Sequence, residues 1–555
     1  MSCKKYNSQI HEKKYLMKYL KYLLVVAIAI LTCSACSDKN ELPEPPVGSA
    51  DPDYLVLFYG IGGDNIDGTI LSNVYMALDA GTDDNVQMTF QLKMSPEFQE
   101  AHPGSNGTRR FTGEDNSALK GTFKAVSESY PILHYSKVDD FFAQLKTEKI
   151  GGADYNMTCA DSLTAFIKWS KDMYPNAKRT ILVMAGHGHG WSLKEDGVKE
   201  LAGTRGILTD KNNSNDFLSL NATVTAVKNA GNVDVIYNDA CMMCMYENLY
   251  GYAECAKYCL ASFELTPSLG GNYTTFINLL KEADSTDEGL EKTMQKYCDH
   301  CLGGEWWSKD EYSDLGFYNL TKLDNLTKAM KDVVDTMVAD DKNGEYISKA
   351  FLNCEIVDTH ITKVQGDIFH DAVQELMKKD EVNLSDSQEV LHWIGSVYQS
   401  HDEKYAGVMK ELDDVCEYWA DFSVYSFSFA DLLRNLDNAL TEAGVADNPY
   451  SGLRKNFLTA LKEVAYIRCT TPKSITAIDP AYELCSPGIF IIPFTLELYE
   501  FVLNTNTMVA VTHVDDAKKV YQNTAFDKQV KWSRMLEKID VFPSILYNLI
   551  RSEIK

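Results

Sequence analysis

A chain of 555 residues is too long for one compact core, and two to four domains is the reasonable expectation. Its formal charge of −26, from 79 acidic against 53 basic residues, leaves no basic stripe to neutralise phosphates, which argues against nucleic acid and against electrostatic adhesion to anionic lipid. A substrate carrying basic side chains would instead be drawn inward.

The N-terminus carries the first sharp signal. Lys13, Lys14, Lys18 and Lys21 precede an apolar run from Tyr22 to Leu31, then small residues and Cys36. The run is too short to span a bilayer, which needs about 20 residues, but it has the form of a signal-peptide core. Cys33-Ser34-Ala35-Cys36 resembles a bacterial lipobox, with Cys33 standing where such motifs carry Leu. Cys36 is therefore the expected lipidation site and mature N-terminus, with a plain secretory cleavage nearby as the other reading. On this reading residues 1–35 form the signal peptide and residues 36–53, rich in proline and charge, a tether.

The mature chain opens with Tyr54–Tyr59, a buried strand, followed by a helix over Asp67–Asp79 and a second strand over Val86–Leu92. Glycine, serine and charge over Pro103–Gly121 predict an exposed loop. Leu163, Phe166, Ile167 and Trp169 give Cys159–Asp172 one apolar helical face. Arg179–Ala185 is a third strand, halted by Gly186-His187-Gly188-His189-Gly190-Trp191. Val233–Tyr237 repeats the device, halted by Asn238-Asp239-Ala240-Cys241, and a helix is expected over Met242–Ala253. Strand, polar tip, helix and strand in alternation predict a mostly parallel α/β sheet with right-handed crossovers. Ligands bind such sheets beyond the carboxyl ends of the strands, so the two polar tips should meet. From about residue 325 the pattern turns helix-rich, with a strand-like Gly488–Thr495, and a boundary near 340 separates a core domain over 54–340 from a mixed α/β region over 341–555.

A thiol is a nucleophile only as thiolate, with an ordinary pKa near 8.5, and a neighbouring imidazole can take its proton. Cys241 at the start of a helix, with a histidine on the adjacent tip, has the parts of a thiol acyl-transfer site. Backbone N–H groups of Cys241 and Gly188 would form the oxyanion hole, and glycine at 188 permits close approach. Cys241-Met-Met-Cys244 is also a CxxC, but two bulky methionines and the absence of a thioredoxin-sized unit weigh against redox chemistry. Cys255-x3-Cys259, and Cys298-x2-Cys301 with His300, have metal-like spacings, yet their aromatic and apolar neighbours suit packed helices equally well, and a disulfide or plain burial is the expected explanation. No metal ligand set is assigned.

Several segments together resemble the clostripain family of cysteine peptidases. They are Asn156-Met157 through Ser162-Leu163, Phe166 to Trp169, Tyr174-Pro175, His187-Gly188-His189-Gly190-Trp191, and Asp239-Ala240-Cys241-Met242-Met243 with Glu247. Tyr59 with Asp64-Asn65, Tyr318–Leu323 and Ser486–Pro493 are similar to further family segments. The resemblance implies a caspase-like α/β/α sandwich and a Cys–His dyad of Cys241 and His187, with His189 as the rival histidine. It also implies that Asp239 lines a pocket for Arg or Lys, the other reading being a cap on the following helix. Self-cleavage between the two motifs, after Lys194, Lys199 or Arg205, is a further implication. Calcium is allowed by the resemblance, but no cofactor is required by the sequence. The expectation is an exported endopeptidase, lipid-anchored at a bacterial membrane in the periplasm or on the cell surface. It would act on polypeptide substrates, and the sequence sets no oligomeric state. The alternative is a catalytically silent surface lipoprotein that keeps the fold as a binding scaffold.

Overall fold

The structure is a computed structural model. It describes residues 51–122 apart from 64, 137–191, 206–303, 306–307, 313–352, 354, 379–380, 393, 426–470, 480–490 and 521–538. The signal peptide, the tether up to residue 50 with Cys36, and the cleavage positions Lys194, Lys199 and Arg205 lie outside the described residues. No helix among the described residues is long and apolar enough to cross a membrane.

The centre is a nine-stranded sheet. Five parallel strands form its middle: β9 (Ala256–Ala261), β8 (Val233–Asp239), β5 (Arg179–Ala185), β1 (Tyr54–Ile61) and β2 (Val86–Lys93), in that spatial order. Antiparallel strands close both sides. β3 (Thr108–Thr112) and β4 (Glu148–Gly151) follow β2, while β10 (Ser313–Asn319) and β12 (Ala465–Thr470) follow β9; β11 (Ser426–Ser428) pairs instead with β13 (Gly488–Phe490). Successive strand residues face opposite sides, as the period of two requires. Leu55, Leu57, Leu182, Met184 and Ile236 enter one core, and Val56, Phe58, Ile181, Val183 and Val235 the other. Both faces are therefore covered, and the near-continuous apolar runs read from the sequence are those of a doubly buried parallel sheet. The expected α/β/α sandwich with a mostly parallel central sheet is what the chain forms.

Helices α1 (Asp67–Ala80), α5 (Tyr273–Glu282) and α6 (Asp287–Leu302) cover one face. On the other lie α2 (Ala160–Met173), α3 (Leu220–Asn229), α4 (Tyr246–Tyr252), α7 (Leu323–Ala339) and, from beyond residue 340, α8 (Phe429–Glu442) and α9 (Tyr450–Val464). Residues Ser49–Lys555 form one compact unit, and β12 joins the central sheet, so the boundary expected near 340 falls inside that unit.

Two expectations from the sequence differ. Within Pro103–Gly121, read as an exposed loop, residues Thr108–Thr112 form the buried strand β3. Its central charge escaped notice because burial is made tolerable from outside the segment. The Arg110 guanidinium sits 5.0 Å from the Trp169 ring and donates twice to Gln91 Oε1, at 3.0 and 2.6 Å. The helix expected over Met242–Ala253 begins only at Tyr246. Met242 adopts a left-handed backbone with φ of 57°, which costs a non-glycine residue about 1–2 kcal/mol. Cross-chain pairing holds it there: Met242 N–H donates to the Glu264 carbonyl at 3.1 Å and Cys244 N–H to that of Ser262 at 2.8 Å.

Candidate active site

In sheet order, the carboxyl ends of β1, β5 and β8 are neighbours, and chain direction across the sheet switches at β1, since β2 lies to one side of it and β5 to the other. Such a switch point is where an open α/β sheet offers a crevice. β1 ends in Gly62-Gly63, β5 in Gly186-His187-Gly188 and β8 in Ala240-Cys241. The parallel register pairs Ala185 with Asp239, and two residues further on each chain lie His187 and Cys241. His187 and Cys241 are half-buried, whereas Gly188, Ala240 and Met242 beside them are buried.

Contact between the tips is direct. A Cβ placed on Gly188 would lie 2.3 Å from the Cys241 carbonyl oxygen and 2.8 Å from the Ala240 Cβ. Only a residue without a side chain lets the two tips approach this closely. Gly188 also bridges Ile207 of β6 (Ile207–Asp210), whose hairpin partner is β7 (Asp216–Leu218). The hydrogen bonds of that bridge are made by its flanking residues, His189 N–H to Gly206 at 3.0 Å and Leu208 N–H to His187 at 2.8 Å. In an antiparallel pair of this kind the central residue's own N–H turns away from its partner strand. The His189 ring packs beside that of His187, with centroids 6.2 Å apart.

The His187 ring lies against β1: a Cβ on Gly63 would sit 3.2 Å from its Cδ2. Burial lowers its pKa below the ordinary 6.5, opposed by a hydrogen bond to the Gly63 backbone. An NMR titration should place the imidazole transition below 6.5; one at or above 6.5 would contradict the buried setting. Because folding depresses this pKa, the stability tied to His187 is complete above 6.5 and is lost as pH falls through the folded value.

The Cys241 thiol contacts the Thr266 carbonyl at 3.9 Å. Its expected position at a helix start is not what the chain forms: α4 begins five residues later, and the field of a helix end falls off within one turn. Met242 N–H is engaged by Glu264 and lies outside any oxyanion site. Among the described residues no cysteine is in a disulfide, and Cys244 is a wholly buried thiol whose pKa burial pushes far up. The same holds for Cys298, while Cys255 and Cys301 are pushed up to about 12. These thiols are core groups.

Asp239 does not cap a helix. Its side chain lies on the α1 and α5 side, where Oδ2 accepts from Tyr273 hydroxyl at 2.8 Å and from Asn73 Nδ2 and Gly271 N–H, both at 3.2 Å. Burial raises its pKa, and the Tyr273 and Gly271 donors partly restore it. Sequence reasoning missed Asn73, Gly271, Tyr273 and Thr266, which no local pattern marks. Gly62-Gly63, a glycine pair ending an apolar run, was a readable sign of a third tip.

The clostripain family model matches residues 123–435, more than half of the chain and a span that contains both tips. This chain belongs to the clostripain family. The clostripain-family chain is accordingly a cysteine peptidase with polypeptide substrates. Among solved structures it is similar to a secreted C11 cysteine protease from Bacteroides thetaiotaomicron bound to an irreversible peptide inhibitor, at 12% identity and a TM-score of 0.46, covering 86% of this chain and 99% of that one. It is also similar to an inactive zymogen C11 protease from Parabacteroides distasonis, at 14% identity and a TM-score of 0.44, covering 86% and 98%. No curated protein matches the chain.

Proposed function

We propose that this clostripain-family peptidase is an endopeptidase in which Cys241 is the nucleophile and His187 the general base, with a preference for cleavage after Arg or Lys. The supporting observation is the close approach of the β5 and β8 tips at Gly188, which sets a half-buried imidazole and a half-buried thiol on adjacent strand ends. His187 takes the thiol proton, and the thiolate attacks the scissile carbonyl. The oxyanion that forms is held by the N–H groups of Gly188 and Cys241, each such donor being worth about 2.7–4 kcal/mol of barrier. His187 then protonates the departing amine, leaving an acyl-thioenzyme. It next removes a proton from water, whose oxygen displaces the thiol.

Asp239 supplies the negative charge for a basic side chain, a guanidinium matching a carboxylate well. The test is affinity labelling with peptidyl chloromethyl ketones ending in Lys or in Leu. The Lys reagent should inactivate at least tenfold faster and its adduct should map to Cys241. Equal rates would remove the basic preference, and an adduct on another cysteine would remove the nucleophile assignment.

Export with lipid attachment at Cys36 and self-cleavage after Lys194, Lys199 or Arg205 complete the reading. Purified wild type should run as two fragments and Cys241→Ala as one; identical bands would rule self-cleavage out. Calcium enters this reading only as what the family resemblance allows, and none of the steps above is routed through it. Family membership does not favour the silent-scaffold alternative.

A further inference from the structure

Asp314, on β10, is fully buried, yet none of the catalytic steps uses it. Its carboxylate accepts two consecutive backbone amides of the segment after β9, Phe263 N–H on Oδ2 at 2.9 Å and Glu264 N–H on Oδ1 at 2.7 Å. Its main-chain carbonyl accepts the Ser262 hydroxyl at 2.7 Å. Three hydrogen bonds from one residue thus hold 262–264 in place.

The far side of that segment holds the nucleophile loop. The peptide group that donates its N–H to Asp314 Oδ2 is the one whose carbonyl, that of Ser262, accepts Cys244 N–H at 2.8 Å. Two residues along, on the peptide that follows the one whose N–H Asp314 Oδ1 accepts, the Glu264 carbonyl accepts the N–H of Met242, the residue in left-handed conformation directly after Cys241. A carboxylate at the head of a hydrogen-bond chain polarises the peptide behind it, which strengthens the Cys244 link, while the Met242 link is held by the fixed position of Glu264. The segment goes on to present the Thr266 carbonyl to the Cys241 thiol at 3.9 Å. Met242 would relax out of its strained backbone if these bonds loosened, and Cys241 would turn with it.

We infer that Asp314 is a positioning residue for Cys241, acting through the 262–264 peptides to hold Met242 and Cys244 and so aim the thiol. This rests on Cys241 being the nucleophile. The plainer role would be a strand-end cap: Gly316 pairs with Ala261, and two residues earlier the Asp314 side chain takes over from the backbone ladder.

The full-length protein carrying Asp314→Asn separates the two. The amide keeps the shape but turns a donor toward one of the two N–H groups. Three quantities are measured: kcat and KM on a Lys peptide amide, the rate of Cys241 alkylation by iodoacetamide, and amide hydrogen exchange. The expected result is at least a tenfold fall in kcat with KM within threefold and alkylation slowed by a similar factor. Exchange at Met242 and Cys244 should quicken tenfold, with that of β1 and β5 unchanged. Faster exchange confined to Phe263 and Glu264, with kcat intact, would reduce Asp314 to a cap and overturn the inference. Exchange measured in the Cys241→Ala background is independent of catalysis, and full cleavage by Cys241→Ala would fault the nucleophile assignment rather than Asp314.

Should Asp314→Asn fail to fold, wild type decides. Burial pushes the Asp314 carboxyl up to about 7, against the two backbone donors. Its titratable neighbours are Cys244 in the nucleophile loop, Tyr318 on β10 and Cys298 on α6, all pushed far up by burial and neutral in this range, with Cys469 opposite on β12 and Glu264 in the held segment. Protection of the Met242 and Cys244 amides, corrected for intrinsic rates, should fall between pH 8 and pH 5.5. Constant protection across that range would overturn the inference.

Discussion

Cys241→Ala and His187→Ala are each expected to lower kcat by on the order of 10⁴-fold or more, and the double variant by no more than the larger single effect. The non-additivity is the diagnostic part. A nucleophile and its base act as one unit, so removing either abolishes the same step and removing both abolishes it once. What residual rate remains comes from substrate binding and the oxyanion site. His189→Ala supplies the control. Its backbone pairs with Gly206 in the β6 hairpin, and the strand register sets His187, not His189, level with Cys241. Loss within tenfold is expected for His189→Ala. A reversed pattern, with His189→Ala inactive and His187→Ala active, would sink the dyad as assigned.

Gly188→Ala should be the most damaging substitution outside the dyad. The new Cβ would meet the Cys241 carbonyl at 2.3 Å, the Ala240 Cβ at 2.8 Å and Met243 Cγ at 3.0 Å, and two of these belong to packed elements with no freedom to swing away. The strain is relieved only by parting the β5 and β8 tips, at a cost of about 1–3 kcal/mol for overpacking of this kind. Catalysis should suffer more than stability. A displacement of about 1 Å in a reacting pair can cost about 10²-fold, and the Gly188 N–H would leave the oxyanion site as well. The expected result is a fall in kcat of about 10²-fold or more, with thermal unfolding still cooperative. Gly68→Ala in the first turn of α1 is the matched control, since nothing lies within 4 Å of its Cβ position. It should be neutral or slightly stabilising. Near wild-type kcat in Gly188→Ala would show that the tips are not set by this contact.

How much of this could be read in advance differs from element to element. β5 was legible residue for residue, because Arg-Thr-Ile-Leu-Val-Met-Ala is apolar without interruption and ends on glycine. β1, β2, β8, α1 and α2 were legible within two residues for the same reason. β3 was not, because Thr-Arg-Arg-Phe-Thr between glycines has the composition of a loop, and its burial depends on Gln91 and Trp169 from elsewhere. The start of α4 was not either. Local propensity favours helix through Met242–Met245, but hydrogen bonds to Ser262 and Glu264, and from Gly488 to the Cys244 carbonyl, outweigh it.

The dyad stood at an intermediate level. A cysteine and a histidine at two strand ends are visible in one dimension, and the parallel-sheet rule says that such ends share an edge. By itself the sequence determined the class of sheet, the edge on which its polar tips gather, and the cysteine and histidine that stand there, because apolar runs and glycine stops are local properties of the chain. Only the tertiary structure decided that Gly188 seats against Cys241, that Met242 is left-handed, and that Asp314, 73 positions beyond Cys241, reaches its loop through the 262–264 segment. Those are pairings between distant segments, chosen by packing and hydrogen-bond satisfaction, and no local pattern encodes them.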